Sequence, residues 1–400
     1  MVIKMESISS AYKITSRPSV DHRCDFQQNW ATVKFAKPEY TKSRIDAAGV
    51  SLVREGLWSI EREIALRVIN NWRSSHSCPL QVFYNTLRNR ALDVDAGAIV
   101  AQRIKRLPSI QDKLTRFPGM LLSRMQDIGG CRAVLHSVDQ VDQLVKVYKG
   151  GITKNPRHRQ TFVNEKDYIR MPKEDGYRCY HIVFKYNTDS PERKVYNGLR
   201  IEIQLRSRLQ HIWATAVETT STFTGQALKS NVGSEDWKRF FALMASEMAV
   251  REDCPIVAGT PENAQERVDE IGFLAAHLQV GLVLQSWGIA VNFVAEDPAF
   301  AAGAYLLQLD PHKQQLTITP YRKSQLLEAD EAYLQVEKQY EDSDRQAVLV
   351  SVDSLATLRS SYPNYYLDTT EFLGILSDIT GVPYDQVGPQ YPQEQPNGVS

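Results

Sequence analysis

The chain has 400 residues, of which 42% are hydrophobic and 24% are charged. This composition is typical of a folded globular protein and excludes a fibre or a chain that is disordered throughout. Lys and Arg together number 47, as do Asp and Glu, but residues 1–250 carry 39 basic and 25 acidic side chains, whereas residues 251–400 carry 8 and 22. A basic first part suits phosphate-rich ligands, although two domains whose solvated surfaces merely differ in charge would show the same split.

Cysteine usage and the N-terminus bear on the cellular compartment. Five cysteines lie far apart and form no CxxC pair, so neither a disulfide framework nor a zinc cage is indicated. The first residues, MVIKMESISSAYK, lack the apolar core of a signal peptide. We therefore expect a cytoplasmic protein.

One stretch without charged side chains, residues 271–295, needs a separate interpretation. Polar residues interrupt it, and Gly288 is expected to end a helix within it. We interpret the stretch as a buried core helix and expect no membrane partner, with a transmembrane span as the alternative.

Taken in chain order, the elements predict two α+β regions. Residues 54–90 have helical spacing and predict one or two helices. Short β-rich runs with a helical segment between them then predict a sheet domain that extends to about residue 235. The runs are CRAVLHSV (131–138), YHIVFKYN (180–187) and LRIEIQLRS (199–207), and a helix over residues 208–217 is expected to close the domain.

A polar, Pro-containing passage at residues 253–262 predicts a hinge near residues 253–265, before a second, smaller α+β domain. This domain is predicted to contain a helix, a strand-turn-strand over 304–321, a helix over 324–340, a strand over 346–353 and a final helix. The predicted domains are therefore residues 1–235, a helical linker at 236–265, and residues 266–400.

The first motif that predicts chemistry is QRIKRLPSIQDKLTR, residues 102–116. Ser109, with Asp112 three residues later, is expected to cap the start of a helix. Cations would then gather near the positive end of that helix, an arrangement that suits a triphosphate but is also common on a solvated helix face. They are Arg103, Lys105, Arg106, Lys113 and Arg116.

In the second motif, MQDIGGCRAVL (125–135), Asp127 precedes a Gly-Gly turn that opens a strand bearing Arg132. Mg²⁺ prefers one or two carboxylates together with substrate phosphates, so Asp127 is a candidate metal ligand. The alternative is that Asp127 only caps a turn.

The third motif, KDYIRMPKEDGYRCYH (166–181), is a basic loop that ends in Gly176 and Tyr177. Gly permits close approach of another group, and a Tyr beside cations can stack on a nucleobase. A loop Tyr can equally serve as a lid over the core.

The fourth motif, RIEIQLRSRLQHIW (200–213), contains a strand with alternating side chains. Ile201, Ile203 and Leu205 are predicted on one face, and Glu202, Gln204 and Arg206 on the other. Such a polar face is often only the wet side of a sheet. If Glu202 lies opposite Asp127, however, the two complete a two-carboxylate magnesium site, and Glu202 can accept a hydroxyl proton.

In their order and spacing, the four motifs together resemble the synthetase domain of the RelA/SpoT alarmone enzymes over about residues 90–235. The resemblance implies an α+β fold with a mixed, nucleotidyltransferase-like β-sheet flanked by helices. It also implies transfer of the β,γ-pyrophosphate of ATP to the ribose 3′-hydroxyl of a nucleotide, with Mg²⁺. Small departures from the family pattern occur at Cys179, Tyr180 and Ser207, none of which is a presumed catalytic group.

The resemblance further implies roles for individual residues. Asp127 and Glu202 would be catalytic metal ligands, with Glu202 alternatively the base. ATP would be held by Arg103, Lys105, Lys113, Arg116 and Arg132, and the acceptor by Lys173, Tyr177, His181, Gln204 and Arg206. No His-Asp signature of the family's hydrolase domain is seen upstream, so the enzyme would need restraint or an opposing activity.

The segment around Tyr362 and Tyr365 resembles the self-inhibitory element of the CapRel fused toxin-antitoxin proteins of phage defence. This resemblance implies a second domain that is zinc-finger-like but lacks zinc ligands, and that blocks ATP until a phage structural protein binds. It also implies the 3′ CCA end of tRNA as acceptor. Two tyrosines three residues apart are alternatively core residues of a helix or turn.

The sequence thus predicts an autoinhibited pyrophosphotransferase that modifies tRNA and inhibits translation. Two alternatives stay open: an alarmone synthetase that acts on GDP, GTP or adenosine nucleotides, and a non-catalytic nucleotide or RNA binder. The choice of acceptor is expected to depend on the loop around Tyr177 and on basic residues such as Lys154, Arg157 and Arg159.

Overall fold

The computed structural model describes residues 2–4, 35–54, 60–154, 160–227, 234–286, 302–310, 313, 315–340, 345–351 and 365–383. Two compact units are present. The mixed-sheet unit comprises Val20–Arg170 and Arg178–Arg208, and the antiparallel-sheet unit comprises Met1–Ser19, Met171–Tyr177 and Leu209–Ser400. The predicted boundaries at residues 235 and 265 differ from this division and remain a proposal.

The mixed-sheet unit alternates helices and strands. Its helices are α1 (Lys42–Val53), α2 (Ile60–Ser75), α3 (Ser77–Val94), α4 (Leu107–Arg116) and α5 (Val138–Lys154), with 3₁₀ turns at Leu122–Arg124 and Lys194–Tyr196. Its strands are β2 (Ile99–Ile104), β3 (Gly129–Leu135), β4 (Thr161–Asp167), β5 (Tyr180–Lys185) and β6 (Arg200–Ser207). The three β-rich runs of the sequence are therefore confirmed as strands.

These strands form one mixed sheet in the order β2-β3-β6-β5-β4. The central pair, β3 and β6, is parallel, and every other neighbouring pair is antiparallel. Because β3 and β6 run in the same direction, the loops that enter them lie at the same edge of the sheet. The predicted α+β fold with a mixed sheet is confirmed for this unit.

The described part of the antiparallel-sheet unit contains a second sheet and five helices with defined bounds. The helices are α6 (Arg208–Ala227, in this unit from Leu209), α7 (Ser234–Val250), α8 (Ala264–His277), α9 (Leu326–Tyr340) and α10 (Tyr365–Thr380). The sheet order is β1-β8-β7-β9, formed by β1 (Val2–Lys4), β7 (Ala302–Asp310), β8 (Gln315–Arg322) and β9 (Gln346–Ser351), with a 3₁₀ turn at Lys323–Gln325. The predicted strand-turn-strand, helix and strand are thus present, and the zinc-finger-like character remains a proposal.

The core of the antiparallel-sheet unit includes the helix that was expected to close the first domain. Ile212 and Trp213 of α6 pack in one buried cluster with Phe240, Leu316 and Phe372. The indole N–H of Trp213 also donates to the carbonyl of Phe241 (2.8 Å). The apolar side of α6 therefore stabilises this unit.

Two local predictions are wrong. Helix α4 begins at Leu107 with Arg106 as its N-cap, so Ser109 lies inside the first turn and caps nothing. Pro108 explains the earlier start, since its fixed φ and missing N–H suit the first turn of a helix. The stretch from residue 271 is only partly buried, since Phe273 is 69% exposed, and it is not one helix: α8 ends at His277, and Gln279 has a φ of +51° before residues 280–286 turn helical again. The expected helix end at Gly288 lies outside the described residues.

None of the helices in the described part of the chain is long and apolar enough to cross a membrane.

Candidate active site

One face of the mixed sheet carries ionisable side chains from all five strands. Gly130 of β3 lies opposite Glu202 of β6, and Arg132 lies opposite Gln204. Side chains at paired positions point to the same face. By the same register, the face also receives Arg103 from β2, His181 from β5 and Lys166 from β4.

The opposite face of the sheet is apolar and covered. Ile201, Ile203 and Leu205 have no exposed surface, and helices α3 and α5 contact this side of the sheet. Cys131, also on this face, lies against the carbonyl of Leu80 in α3. The alternation read from the sequence is confirmed, and it leaves the polar face for chemistry.

Asp127 lies just before β3 and is held by two lysines. Lys105 Nζ is 3.0 Å from Oδ2, and Lys113 Nζ is 3.0 Å from Oδ1. Burial alone would raise the pKa of Asp127, but the charges and hydrogen bonds of Lys105 and Lys113 outweigh burial and hold the pKa below its usual value. Asp127 is therefore an anion at neutral pH.

Glu202 is held by neighbours on the polar face. Its Oε1 is 3.1 Å from His181 Nδ1, and its Oε2 accepts a hydrogen bond from Gln204 Nε2 (2.8 Å). Burial would raise the pKa of Glu202, yet the hydrogen bond and charge of His181 lower it below the usual value. Conversely, burial would lower the pKa of His181, but Cys179 and Glu202 outweigh burial and raise it.

The two carboxylates share one electrostatic environment. The charge of Asp127 raises the pKa of Glu202, which opposes the effect of His181. Both residues lie at the edge where the parallel strands β3 and β6 begin. The prediction that Asp127 and Glu202 come together on one side of the sheet is therefore confirmed, while their catalytic roles remain a proposal.

Of the two glycines that open β3 after Asp127, only Gly129 is closely packed. A Cβ on Gly129 would lie 2.7 Å from Ile201 Cδ1, so a larger residue would require the buried Ile201 side chain to shift. A Cβ on Gly130 would approach nothing closer than the Glu202 carbonyl at 3.8 Å. Gly129 thus leaves room for the buried Ile201 side chain.

This arrangement suits a divalent cation that binds together with phosphates. Among the described residues there is no cluster of three or more His, Cys, Asp or Glu side chains that would hold a metal without help. Mg²⁺, however, is commonly bound by one or two carboxylates plus substrate phosphates, and Asp127 and Glu202 supply two anionic carboxylates. The donor set therefore fits Mg²⁺ accompanied by a polyphosphate.

The remaining predicted ATP-binding residues are three arginines on or near the mixed sheet. Arg103 is exposed on the polar face, and Arg116 is exposed in the last turn of α4. Arg132 is 9% exposed at the centre of the sheet. Their contacts with ATP remain a proposal.

The predicted acceptor-binding residues fall into two groups. His181, Gln204 and Arg206 lie on the polar face, where Arg206 donates to Gln204 Oε1 (3.4 Å). Lys173 and Tyr177 belong to the antiparallel-sheet unit, where the Lys173 ammonium lies 4.7 Å from the centre of the Tyr177 ring. Their role as acceptor ligands remains a proposal.

The other predicted residues lie wholly or partly outside the described residues. Tyr362, Arg157 and Arg159 lie outside the described residues. Tyr365 begins α10 and Lys154 ends α5, but the side chains of both are likewise outside the described part.

The structure adds residues that the sequence did not single out for the site. The ring of Tyr168 packs edge-on against His181, with centroids 5.3 Å apart, and Lys166 Nζ lies 6.0 Å from the centre of the Tyr168 ring. Arg73 of α2 donates to the Lys105 carbonyl (2.8 Å). Lys166 and Tyr168 belong to the third motif, and their alternate spacing is the sequence signal that could have placed both on the side of His181. Nothing in the sequence links Arg73 to Lys105.

Residues 102–226 match the family model described as the region found in RelA / SpoT proteins. The match contains Asp127, Glu202 and the cations around them.

Two curated proteins of Bacillus subtilis (strain 168) are similar to the same part of the chain. GTP pyrophosphokinase YjbM is 38% identical over 120 residues, which cover 29% of this chain and 52% of that protein. GTP pyrophosphokinase YwaC is 29% identical over 119 residues, covering 28% and 52%. The chain thus spans about half the length of the curated relatives it matches.

Solved structures of small alarmone synthetase 1 from Bacillus subtilis are also similar. The complex with its product pppGpp has a TM-score of 0.38 at 22% identity and covers 46% of this chain and 92% of that one. A second structure of the same protein has a TM-score of 0.37 at 25% identity and covers 46% and 91%.

Proposed function

We propose that the chain transfers the β,γ-pyrophosphate of ATP to the ribose 3′-hydroxyl of a nucleotide acceptor. The observation that supports this most directly is the pair of carboxylates, Asp127 and Glu202, at one edge of a polar sheet face with cations around it. The match of residues 102–226 to the region found in RelA and SpoT proteins supports the same reaction class.

In this proposal, Asp127 and Glu202 would hold Mg²⁺ together with the phosphates of ATP. When bound, the cation neutralises the charge that builds up on the phosphates during transfer. Lys105, Lys113 and Arg116 bind the triphosphate, and Arg103 and Arg132 lie against the adenine.

On the acceptor side, Glu202 takes the proton of the 3′-hydroxyl, and His181 holds Glu202 in position through the bond to Nδ1. Gln204 and Arg206 line the same face. The family resemblance gives Lys173 and Tyr177, which pack against each other, a role in binding the acceptor base.

The acceptor that the comparisons favour is GDP or GTP, because both curated relatives are GTP pyrophosphokinases. The product would be a guanosine tetra- or pentaphosphate. An adenosine nucleotide as acceptor would need the same catalytic groups.

The second candidate acceptor is the 3′ end of tRNA, which would make the enzyme an inhibitor of translation. The observation that favours it is the excess of basic over acidic side chains in residues 1–250, since a polyanion binds such a surface more strongly than a single nucleotide does.

We also propose that residues 266–400 restrain the enzyme through Tyr362 and Tyr365, and that a phage structural protein releases the restraint. This proposal rests on the resemblance of that segment to the CapRel proteins. If it is right, the full chain carrying Tyr365→Ala inhibits growth on expression, whereas growth equal to that of cells with the unmodified chain counts against it.

One experiment tests the activity and the acceptor together. The full chain, with and without Tyr365→Ala, receives γ-labelled ATP, Mg²⁺, GTP and bulk tRNA in one mixture. Pyrophosphate transfer releases AMP and labels the acceptor, whereas simple phosphate transfer would release ADP. Label on GTP supports alarmone synthesis, and label on tRNA supports the second candidate.

The matched controls are Glu202→Gln and Glu165→Gln. Glu165 is also on a strand of the same sheet but pairs with Lys149, away from the polar face. If no form releases AMP or labels an acceptor, the enzyme proposal is wrong, and binding of nucleotide or RNA without chemistry becomes the better account.

A further inference from the structure

The loop that carries Lys173 and Tyr177 belongs to the antiparallel-sheet unit, although it connects two strands of the mixed sheet. The chain leaves the mixed-sheet unit after Arg170 and returns to it at Arg178. We call the segment between them, Met171–Tyr177, the tyrosine loop. It belongs to the unit that does not carry the two carboxylates of the candidate active site.

Hydrogen bonds within the tyrosine loop define its shape. The N–H of Gly176 donates to the carbonyl of Lys173 (2.9 Å), and the N–H of Lys173 donates to the carbonyl of Tyr177 (3.2 Å). The N–H of Tyr177 donates to Asp175 Oδ1 (3.0 Å), and the Lys173 ammonium lies over the Tyr177 ring. Because these contacts join the tip of the loop to Tyr177, we expect the loop and the ring to move together.

Gly176 seats the loop on the core of the antiparallel-sheet unit. It is buried, its φ is +90°, and a Cβ there would lie 2.8 Å from Trp213 Cζ2, 2.9 Å from Ala245 Cβ and 3.0 Å from the Phe241 carbonyl oxygen. Only glycine allows so close an approach of the backbone in this conformation. The indole N–H of Trp213 donates to the same Phe241 carbonyl (2.8 Å), so α6 and α7 are bonded to each other at the seat.

Tyr177 follows the seat directly and packs against the same core. It is half-buried and contacts the buried cluster to which Trp213 and Phe241 belong, whereas residues 173–175 at the tip of the loop are exposed. The loop therefore has an exposed tip and a buried end. Since Tyr177 is bonded to a buried backbone position, the place of its ring depends on the seat.

We propose that Trp213 is a positioning residue for the acceptor: it seats Gly176, and the seat holds the Tyr177 ring where the acceptor base stacks. The inference rests on the proposed function, which makes Tyr177 an acceptor ligand. It gives the antiparallel-sheet unit a part in substrate binding in addition to the proposed restraint. In this account Trp213 does not touch the substrate and acts only through Tyr177.

A selective effect on one substrate follows. Stacking requires the ring to lie at contact distance from the base, so a displaced ring loses part of the stacking energy. A ring that is already in place before the acceptor arrives also avoids the entropy cost of ordering the loop. Asp127, Glu202 and the cations assigned to ATP lie in the other unit, so loosening the seat should weaken acceptor binding and leave ATP binding unchanged.

The test separates the KM of the acceptor from the KM of ATP. Full-length Trp213→Phe and Gly176→Ala alter the two sides of the contact, and Trp213→Phe is also combined with Tyr177→Ala. Each chain is prepared with and without Tyr365→Ala, so that a restraint on ATP entry cannot hide the result. Initial rates of AMP release are measured with GTP as acceptor and, in a parallel series, with bulk tRNA.

Two matched controls come from the same unit. Trp237→Phe makes the same chemical change in α7, where Trp237 packs on the rings of two phenylalanines of the cluster and is not among the three nearest neighbours of a Cβ on Gly176. Gly259→Ala adds a methyl group at a φ of +82°, where nothing lies within 4 Å. Both controls should match the unmodified chain in both KM values.

We expect Trp213→Phe to raise the KM of the acceptor by about fivefold or more, as partial loss of base stacking implies, and the KM of ATP by less than about twofold. Gly176→Ala should act in the same direction. In a Tyr177→Ala chain, Trp213→Phe should change the KM of the acceptor by less than about twofold further, because effects of residues that act through one another do not add.

Hydrogen exchange gives a measurement that needs no turnover. The amides of Lys173, Gly176 and Tyr177 are hydrogen-bonded within the loop, and opening of the loop exposes them to exchange. A peptide that covers the tyrosine loop should therefore exchange faster in Trp213→Phe than in Trp237→Phe.

The inference is overturned by any of three results. They are a KM of ATP that rises as much as that of the acceptor, a full effect of Trp213→Phe in the Tyr177→Ala chain, and equal exchange of the loop in Trp213→Phe and Trp237→Phe. Failure of the proposed function looks different. In that case no chain labels an acceptor, while Trp213→Phe still speeds exchange of the loop, and the seat is then only structural.

Discussion

The two sheets of this protein use their faces in opposite ways. In the mixed sheet, β6 buries Ile203 on one face and presents Gln204 and Glu202 on the other. In the antiparallel sheet, β7 is buried on both faces: Leu307 joins the core cluster, and Leu306, on the other face, is equally buried.

A covering helix accounts for the second pattern. Helix α9 contacts β7, and the hydroxyl of Tyr340, the last residue of α9, donates to Gln308 Oε1 (3.1 Å) on the same face as Leu306. A strand covered on two sides can be apolar throughout, whereas a strand covered on one side keeps polar residues that need partners. The mixed sheet satisfies its polar face with ion pairs and hydrogen bonds, and those pairs make up the candidate active site.

The largest expected effect concerns activity on the polar face. Glu202→Gln should lower the rate of pyrophosphate transfer by about 10²–10⁴-fold, because the proposed base and cation ligand is lost. The assay is AMP release from ATP with GTP and tRNA present. Glu165→Gln should retain nearly full activity, and a Glu202→Gln chain with more than half of the normal rate would contradict the role of Glu202.

Alanine substitutions at neighbouring residues test the comparison of the sheets directly. Ile203→Ala should lower the free energy of unfolding by about 2–5 kcal/mol, and Gln204→Ala by less than about 1 kcal/mol. On β7, Leu306→Ala and Leu307→Ala should both cost about 2–5 kcal/mol, because both faces are buried. Urea unfolding followed by circular dichroism measures all four. If Leu306→Ala lowers the free energy of unfolding only slightly, the second sheet is not covered on both faces.

A smaller effect concerns Gly176, in the basic loop of the third motif. Its φ is +90°, and a Cβ would lie 2.8 Å from Trp213 Cζ2 and 2.9 Å from Ala245 Cβ. Gly176→Ala should therefore cost about 2–4 kcal/mol, from strained backbone and overpacking together.

Gly259→Ala is the matched control, since Gly259 has a φ of +82° with nothing within 4 Å of the added Cβ. It should cost only about 1 kcal/mol, the strain alone. Equal melting temperatures for the two variants would show that Gly176 is kept for its backbone and not for its packing.

The smallest expected effect is on the pH dependence of stability. The pKa of His181 is raised, so its stabilising bond to Glu202 is complete below the ordinary value of 6.5 and is lost as the pH rises through the raised pKa. The pKa of Glu202 is lowered, so its contribution is complete above 4.5 and is lost as the pH falls through the lowered pKa.

The stability difference between the unmodified chain and His181→Gln should therefore be largest between pH 4.5 and 6.5, at about 1–3 kcal/mol for a partly buried charged bond. Unfolding curves in the presence of EDTA at several pH values give this difference. A difference that stays constant from pH 4.5 to 10 would exclude a charged His181 as the partner of Glu202.

Much of the candidate site could be predicted from the sequence because strand alternation is a local pattern. The residues from Ile201 to Arg206 alternate strictly, and this fixes which side chains share a face once the strand is recognised. The meeting of Asp127 and Glu202 was only a conditional prediction, because it depends on the parallel pairing of β3 and β6, which places the loops that enter them at one edge.

Other features depend on contacts between distant residues and leave little trace in the local sequence. The three-residue strand β1 is defined only by its pairing with Gln315–Thr317 of β8. Likewise, the hydrogen bond from Arg73 to Lys105 joins residues 32 positions apart. The predicted Ser109 cap was wrong because Pro108 already lies in the first turn of the helix, which begins at Leu107.

The most direct test of the account is a crystal structure of the full chain with Mn²⁺ and a non-hydrolysable ATP analogue, with the cation located by anomalous scattering. The account predicts one Mn²⁺ peak bound by carboxylate oxygens of both Asp127 and Glu202 and by phosphate oxygens of the analogue. A peak bound to neither carboxylate, with the analogue away from the polar face of the mixed sheet, would contradict it.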